Sequence, residues 1–455
     1  MNQFNTLEQQ IIETITPSKK DREQLENTIL TLTEIVKNKL NERRQNAVIE
    51  LVGSTAKDTF LKDNLDIDLF IIFSPDIPEK NIASTTLQIG RDILQKSEEC
   101  YAEHPYIRGI FKSYKVELVP CYQINDASQK ISAVDRTPLH TRYIKQHLKE
   151  NQKQEVRLLK QFLIGIGCYG AEAEVQGFSG YLCELLIIRY QDFNQLLHQV
   201  CQWNEGLKLS LTTHPILEYD DPLIFIDPVD KDRNVAAAVA PHTFHQFITA
   251  SKEYLKTPKP TFFFPNPTAP WTLDKIKNMV NNQKESYLGI RFSKPNIINE
   301  NLYPQVRKTC NAILKASTQE GFNIYDTRFY IDSKTDLIYI VIKIDNTPLS
   351  ETYTHIGPPV KLEKNNKEFI DKWKDHPDTI TPPFQKDNRT YVIVKRSYRQ
   401  LKEYLENKLS TLSLGKHLDS IVSKEYTILT QDELLIPKLQ VFWTQYLEDK
   451  KPWER

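Results

Sequence analysis

Apolar and polar positions along the first third of the chain alternate between two rhythms. From residue 8 to 45 the apolar residues recur at helical spacing: Ile11 and Ile12, then Leu25, Ile29, Leu30, Leu32, Ile35, Val36 and Leu40, with Thr16-Pro17-Ser18 breaking the run. This predicts two helices leading into a strand at Val48 to Val52. Leu65 to Phe73 alternates and then becomes continuously apolar, rich in Ile and Phe, as expected of a strand entering a core. Helical spacing returns over Ile82 to Ser97 (Leu87, Ile89, Ile93, Leu94), and Tyr114 to Tyr122 reads as strand again.

Further on, Gly180 to Tyr190 is apolar on most sides and follows Ser179, a natural N-cap, so it reads as a buried helix. Asp192 to Trp203 reads as another. Basic residues fall at Arg142, Lys145, Lys149, Lys153, Arg157 and Lys160. In a helical segment these form one continuous positive stripe, with Val156, Leu159, Leu163 and Ile166 packing it down. Lys145 to Lys153 reads as a solvated face balanced by Glu150 and Glu155, whereas Arg157 and Lys160 read as phosphate ligands. Pro258, Pro260, Pro265, Pro267 and Pro270 then mark a linker. Beyond it Tyr287 to Phe292 reads as strand and Tyr303 to Ser317 as helix. Thr327 to Ile331 and Leu337 to Ile344 read as paired strands around a polar turn at Asp332 to Asp336. This succession predicts a small α+β sandwich with one sheet face exposed, a shape often used to hold RNA. Tyr391 to Arg396 is a further strand, and Leu401, Leu405 and Leu409 mark a helix face.

Length and composition narrow the class. A chain of 455 residues exceeds one ordinary core, so several domains are expected. With 59 basic and 59 acidic residues the formal net charge is zero, so a nucleic-acid partner must be held by local patches. Apolar runs fall short of a membrane span and the polar N-terminus has no signal-peptide core, which predicts no membrane association. The six cysteines (Cys100, Cys121, Cys168, Cys183, Cys201, Cys310) are scattered without a C-x-x-C pair. That spacing disfavours zinc and disulfide frameworks and suits a reducing cytoplasm.

The candidate chemistry lies between the first two strands. Asp66-Ile67-Asp68 places two carboxylates on one face of a strand, where they repel each other unless a cation sits between them. Hard oxygen ligands so placed suit Mg²⁺, which binds through a few carboxylates plus substrate phosphates. Upstream, Gly53-Ser54 offers a turn whose N–H groups and hydroxyl can approach phosphate oxygens. Glu117, flanked by valine and leucine on its own strand, is the third acid such a site needs. The alternative is ordinary: a D-x-D pair at a polar sheet edge and a surface glutamate paired with a lysine. A phosphate-gripping turn followed by a metal-gripping pair points to nucleotidyl transfer.

Gly53-Ser54 with Asp66-Ile67-Asp68 resembles the signature of polymerase-β-like nucleotidyltransferases. The resemblance sharpens to the archaeal-type (class I) CCA-adding tRNA nucleotidyltransferases through several segments. These are His104-Pro105-Tyr106, Val119-Pro120-Cys121-Tyr122, Ser132 through Asp135 to His140, Glu155 through Arg157 to Lys160, Gly167 to Glu172, Gly177 to Leu186, and Asp227-Pro228-Val229-Asp230 with Arg233 to Ala236. It continues weakly through Asn301 to Pro304, Gly357-Pro358-Pro359 and Leu414-Gly415-Lys416. The chain departs from the family at two positions: Glu117 stands where Asp is usual, and Lys57 where Arg is usual. A glutamate oxygen must fold back to reach the same metal, and a lysine offers a point charge in place of a bidentate fork.

The resemblance implies an α/β (α+β overall) protein with a polymerase-β-like palm over residues 1–145 and a helical central domain over 146–257. It further implies an α+β C-terminal part over 258–455 with a ferredoxin-like or RRM-like tail. The implied reaction adds CMP and AMP from CTP and ATP to the 3′ end of tRNA. Asp66, Asp68 and Glu117 would hold Mg²⁺, and Ser54, Lys57, Lys160 and Tyr169 would clamp the leaving pyrophosphate. His140 matches a histidine near the triphosphate and Arg233 the arginine that hydrogen-bonds the nucleotide. Spacing alone would make Tyr169 a packing aromatic and His140 a turn residue. Lys395, Arg396, Arg399 and Lys402 are candidates for the acceptor-stem backbone, Glu184 is expected to pair with Arg157 or Arg233, and a homodimer is allowed. Rival readings are a poly(A)- or oligoadenylate-type transferase on the same palm, and an RNA-binding protein with a decayed site.

Overall fold

The structure, a computed structural model, describes residues 6–63, 65–101, 105–213 and 218–455, so His104 lies outside the described residues. It divides into two compact units, residues 1–267 with 450–455 and residues 268–449. The first begins with α1 (Thr6–Ile15) and α2 (Lys19–Glu42). The break between them has a local cause: Ser18 caps α2 by accepting from the Asp21 N–H, while the Asp21 carboxylate accepts from the Ser18 N–H at 2.9 Å.

A sheet follows, built from β1 (Ala47–Val52), β2 (Asp66–Phe73), β3 (Gln95–Tyr101), β4 (Pro105–Phe111) and β5 (Tyr114–Tyr122), with α3 (Gly53–Lys57) after β1 and α4 (Glu79–Ile93) after β2. The strand order is β1-β2-β5-β4-β3, and only β2 and β5 run parallel. Period two sorts the side chains. Ile67, Leu69, Ile71 and Phe73 with Val116 and Leu118 pack beneath α2 and α4, against Leu32, Val36, Ile82 and Ile89. The other face carries a small cluster of Val52, Phe70, Ile72, Val119 and Cys121. Asp66, Asp68 and Glu117 share its period, one and two steps upstream. The helix expected over Ile82 to Ser97 stops at Ile93, and its last residues open β3 instead. β3 is an edge strand of mostly exposed polar residues, so it has no apolar period to read.

Next come α5 (Thr137–His147), α6 (Gln152–Gly165), α7 (Gly180–Tyr190), α8 (Phe193–Val200), β6 (Leu207–Leu209), β7 (Leu223–Phe225) and α9 (Pro241–Lys256). Phe162 of α6 centres this core, its ring meeting Phe193, Phe247, Tyr254, Phe262 and Phe263. The predicted continuous basic stripe is corrected here. The chain leaves the helix at Leu148 and re-enters at Gln152, and α6 is buried on nearly all sides, so Arg157 and Lys160 point into protein.

The second unit contains α10 (Leu273–Asn281), β8 (Ser286–Ser293), α11 (Asn299–Gln319), β9 (Ile324–Asp332), β10 (Leu337–Ile344), β11 (Thr352–Pro359), α12 (Glu363–Lys374), β12 (Thr379–Lys386), β13 (Arg389–Lys395), α13 (Leu401–Lys408), α14 (Lys416–Val422), β14 (Thr427–Leu429), α15 (Gln431–Leu434) and α16 (Gln440–Glu448). Its larger sheet, ordered β14-β8-β10-β9, is covered on both faces. The expected exposed face is thereby corrected: Tyr287, Tyr339 and Val341 lie under Leu434, Leu439 and Trp443, which the chain brings back after residue 427. An open face belongs instead to the smaller sheet, β11-β13-β12, where Ile356 and Ile380 are exposed. Of the basic cluster at its end, Arg396 donates to the Glu320 carbonyl at 2.7 Å and Arg399 to the Leu349 carbonyl at 2.9 Å.

Candidate active site

Parallel pairing of β2 with β5 sets Asp68 directly beside Glu117, with Asp66 two residues upstream. The three carboxylates feel one another. Burial, then the charges of Glu117 and Asp66, push Asp68 up to about 7, against a smaller opposing pull from Lys57. Glu117 is also raised, by burial and by Asp66, while Arg108 opposes the shift from the register position beside it on β4. Among the described residues no three His, Cys, Asp or Glu side chains close into a ready-made metal cage. Asp68 and Glu117 are neighbouring carboxylates whose charges oppose each other, and hard oxygen ligands of this kind suit a divalent ion that takes its remaining ligands from substrate and water.

The Gly53-Ser54 turn is the first turn of α3. Gly53 has φ of +72°, and a Cβ there would run into the Asp68 carboxylate, so this glycine lets the backbone pass against the acids. The Thr55 hydroxyl fastens α3 to β2 by donating to the Asp66 carbonyl at 2.6 Å. Lys57 ends α3 and is buried, its ammonium 2.6 Å from Glu184 Oε2.

Glu184 is a hub. Fully buried on α7, it also accepts from the Thr59 hydroxyl at 2.6 Å, and Lys160 lies 3.8 Å from its Oε1. Lys160 donates to the Thr59 carbonyl at 3.0 Å, and burial pulls its pKa down against the Glu184 charge. The expected partners of Glu184 are thus corrected. Arg157 is spent on Asp58 (2.6 Å) and the Phe60 carbonyl (3.0 Å), bracing the segment between α3 and β2 in place of binding phosphate. Tyr169 and Lys160 converge over Gly180: a Cβ on that glycine would lie 3.1 Å from the Tyr169 hydroxyl and 3.6 Å from the ammonium. Burial raises the Tyr169 phenol, and Glu184 and Asp66 add to the effect.

His140 and Arg233 meet at a second hub, Asp227. His140 Nε2 donates to Asp227 Oδ2 at 2.8 Å, Arg233 to the same oxygen at 2.9 Å, and the Tyr181 hydroxyl to Oδ1 at 3.1 Å. Burial would raise this carboxyl, but the bonds and charges of His140 and Arg233, with the Val229 N–H, hold it down to about 2. Burial lowers His140, against the Asp227 hydrogen bond. Tyr181 links the hubs. Its ring stacks on His140 at 4.1 Å and lies 5.9 Å below the Lys57 ammonium.

Three family profiles match in succession: Nucleotidyltransferase domain over residues 33–140, tRNA nucleotidyltransferase, second domain, over 154–264, and CCA-adding enzyme, C-terminal domain, over 285–431. Among curated relatives, the CCA-adding enzyme of Halobacterium salinarum is 32% identical over 425 residues, covering 90% of this chain and 93% of that one. That of Methanothermobacter thermautotrophicus is 34% identical over 433 residues, 93% of each. That of Thermoplasma volcanium is 38% identical over 373 residues, 82% of this chain and 81% of the relative. The chain belongs to the CCA-adding enzymes. Solved structures are similar at greater remove: the Cid1 poly(U) polymerase bound to MgGTP gives a TM-score of 0.44 at 14% identity, over 58% of this chain and 98% of that one.

Within this family frame, the three acids and Lys57, His140, Lys160 and Arg233 all fall in one unit, the four basic side chains held by two carboxylates that sequence reasoning did not use. Glu184 carried a signal, a charge within an apolar helix, but not its partners. Asp227 and Tyr181 lay inside matched segments with nothing in their spacing to single them out.

Proposed function

We propose that the chain completes the 3′ end of tRNA by adding CMP, CMP and AMP from CTP and ATP, without a nucleic-acid template and with release of pyrophosphate. The observation that carries this reading is the Asp68–Glu117 pairing beside Asp66, within a chain that matches CCA-adding enzymes over most of its length. Asp66, Asp68 and Glu117 would hold Mg²⁺, which when bound lowers the pKa of the attacking 3′-hydroxyl and neutralises charge gathering on the α-phosphate. Lys57 and Lys160 share the single Glu184 charge, so the cluster retains a positive excess suited to a triphosphate. Ser54 would donate its hydroxyl and Tyr169 its phenol to the phosphates, and His140 and Arg233 would orient the nucleotide. The work divides between a palm over 1–145, a helical part over 146–257 that completes the nucleotide site, and a tRNA-binding part over 258–455. All six cysteines are free, as suits a reducing cytoplasm.

The test is extension of tRNA truncated at each of its last three positions, with each labelled nucleotide and Mg²⁺. Ordered C, C, A incorporation is expected, abolished by chelation and reduced on the order of a thousandfold in Asp68→Ala. A-only tails would indicate a poly(A)-type enzyme. Equal zero incorporation by wild type and Asp68→Ala, with tRNA binding intact, would indicate a decayed site.

A further inference from the structure

The Asp227-Pro228-Val229-Asp230 turn gathers basic side chains from a distant stretch of chain. Asp230 accepts from Lys130 at 2.6 Å and from Arg136 at 2.8 Å, and Asp227 accepts from His140. The turn itself is rigid. The Asp227 N–H donates to the Arg233 carbonyl at 3.0 Å, and Asn234 Oδ1 accepts from the N–H groups of Phe225 (2.8 Å) and Ala236 (2.9 Å). Asp230 therefore clasps the 130–136 segment to a stiff loop, and the two aspartates of the turn differ in what they present. The bases on Asp230 are a lysine and an arginine outside the predicted nucleotide site. Those on Asp227 are the two side chains expected to touch the nucleotide.

We infer that Asp227 is a positioning residue for nucleotide recognition: one buried carboxylate fixes the Arg233 guanidinium, the His140 ring and the Tyr181 hydroxyl in a single arrangement. The inference rests on the nucleotide-binding reading of His140 and Arg233. An arginine has five N–H donors in a planar fork, so bonding one of them to a fixed carboxylate sets the direction of the rest. His140 meets Asp227 through Nε2, so this bond fixes the orientation of the ring and the direction in which Nδ1 faces. Tyr181 carries the constraint onward, because its ring stacks on His140 and also lies 5.9 Å from the Lys57 ammonium. Asp227 is fully buried, so its effect passes through the residues it holds.

The experiment measures kcat and KM for CTP and for ATP on tRNA truncated before the corresponding position. The variants are Asp227→Asn, Tyr181→Phe, His140→Ala/Arg233→Ala, and the triple combination, with thermal melting as the folding control. Asp227→Asn is expected to raise nucleotide KM roughly tenfold with kcat nearly unchanged, the effect of losing hydrogen bonds to charged groups. Tyr181→Phe, which keeps the ring stack and removes one donor, is expected to raise KM about threefold. In the His140→Ala/Arg233→Ala background, Asp227→Asn should add no more than the roughly threefold loss that remains through Tyr181. An undiminished extra loss in that background, or a fall in kcat at unchanged KM, overturns the inference. If His140→Ala/Arg233→Ala leaves KM unaltered, the nucleotide reading of those residues falls first and the inference with it. If Asp227→Asn does not fold, an unchanged KM in Tyr181→Phe overturns it.

Discussion

Glu184 carries one negative charge for two buried ammonium groups, Lys57 at 2.6 Å and Lys160 at 3.8 Å. Removing one partner of a buried ion pair leaves an uncompensated charge in a poor solvent, so Glu184→Gln is expected to cost about 3–5 kcal/mol in chemical denaturation. CTP should restore part of that loss by supplying the missing negative charge. At this scale the two aspartates of the proposed metal site were legible because a strand has period two: Asp66 and Asp68 had to share a face wherever the strand lay. Glu117 could be placed only on a strand. That it stands beside Asp68 follows from the parallel register of β2 and β5. The Lys57–Glu184 pair, 127 residues apart in sequence, left no local trace.

Between elements, one carboxylate joins α6 to α8. Glu155 Oε2 accepts from the Phe193 N–H at 3.0 Å, while its buried Oε1 has no hydrogen-bond partner among the described residues. Burial pushes this group up to about 7, with Asp192 and Glu8 adding to the shift. Between pH ~4.5 and ~7 the folded state keeps a proton that the unfolded chain has lost, so stability falls as pH rises through that window and levels off above it. Glu155→Gln keeps an acceptor for Phe193 and removes the titration. Its melting temperature should rise relative to wild type from pH 5 to pH 8, by up to about 3 kcal/mol in stability. Among elements, α1, α2, β1, β2, β5 and α7 were readable from period and caps. The gap between α5 and α6 was hidden because Leu148 to Asn151 contains neither Gly nor Pro, the usual punctuation.

Across the molecule, residues 450–455 return to the first unit after the chain has built the second. Trp453 is buried there, stacks on Phe262 at 5.6 Å and donates its indole N–H to Glu253 at 2.7 Å, while the Thr261 hydroxyl donates to its carbonyl. Trp453→Ala should lower the stability of the first unit by roughly 3–5 kcal/mol, read as an earlier melting transition. The aromatic centre around Phe162 is the core this residue extends. Among the described residues no helix is long and apolar enough to cross a membrane.

The amino-acid order by itself determined the local structures and the chemistry available to them. Helical and strand periods, the Ser18 and Ser179 caps, and the spacing of two aspartates are properties of neighbours in the chain. Only the folded chain decided which buried cation meets which buried carboxylate. Lys57 and Lys160 belong to Glu184, His140 and Arg233 to Asp227, and Arg157 to Asp58, because burial forces each charge onto whatever partner the packing of α3, α5, α6 and α7 brings within reach. Apart from Arg233 and Asp227, which sit six residues apart in one loop, those pairings join elements far apart in sequence, so no local pattern could encode them.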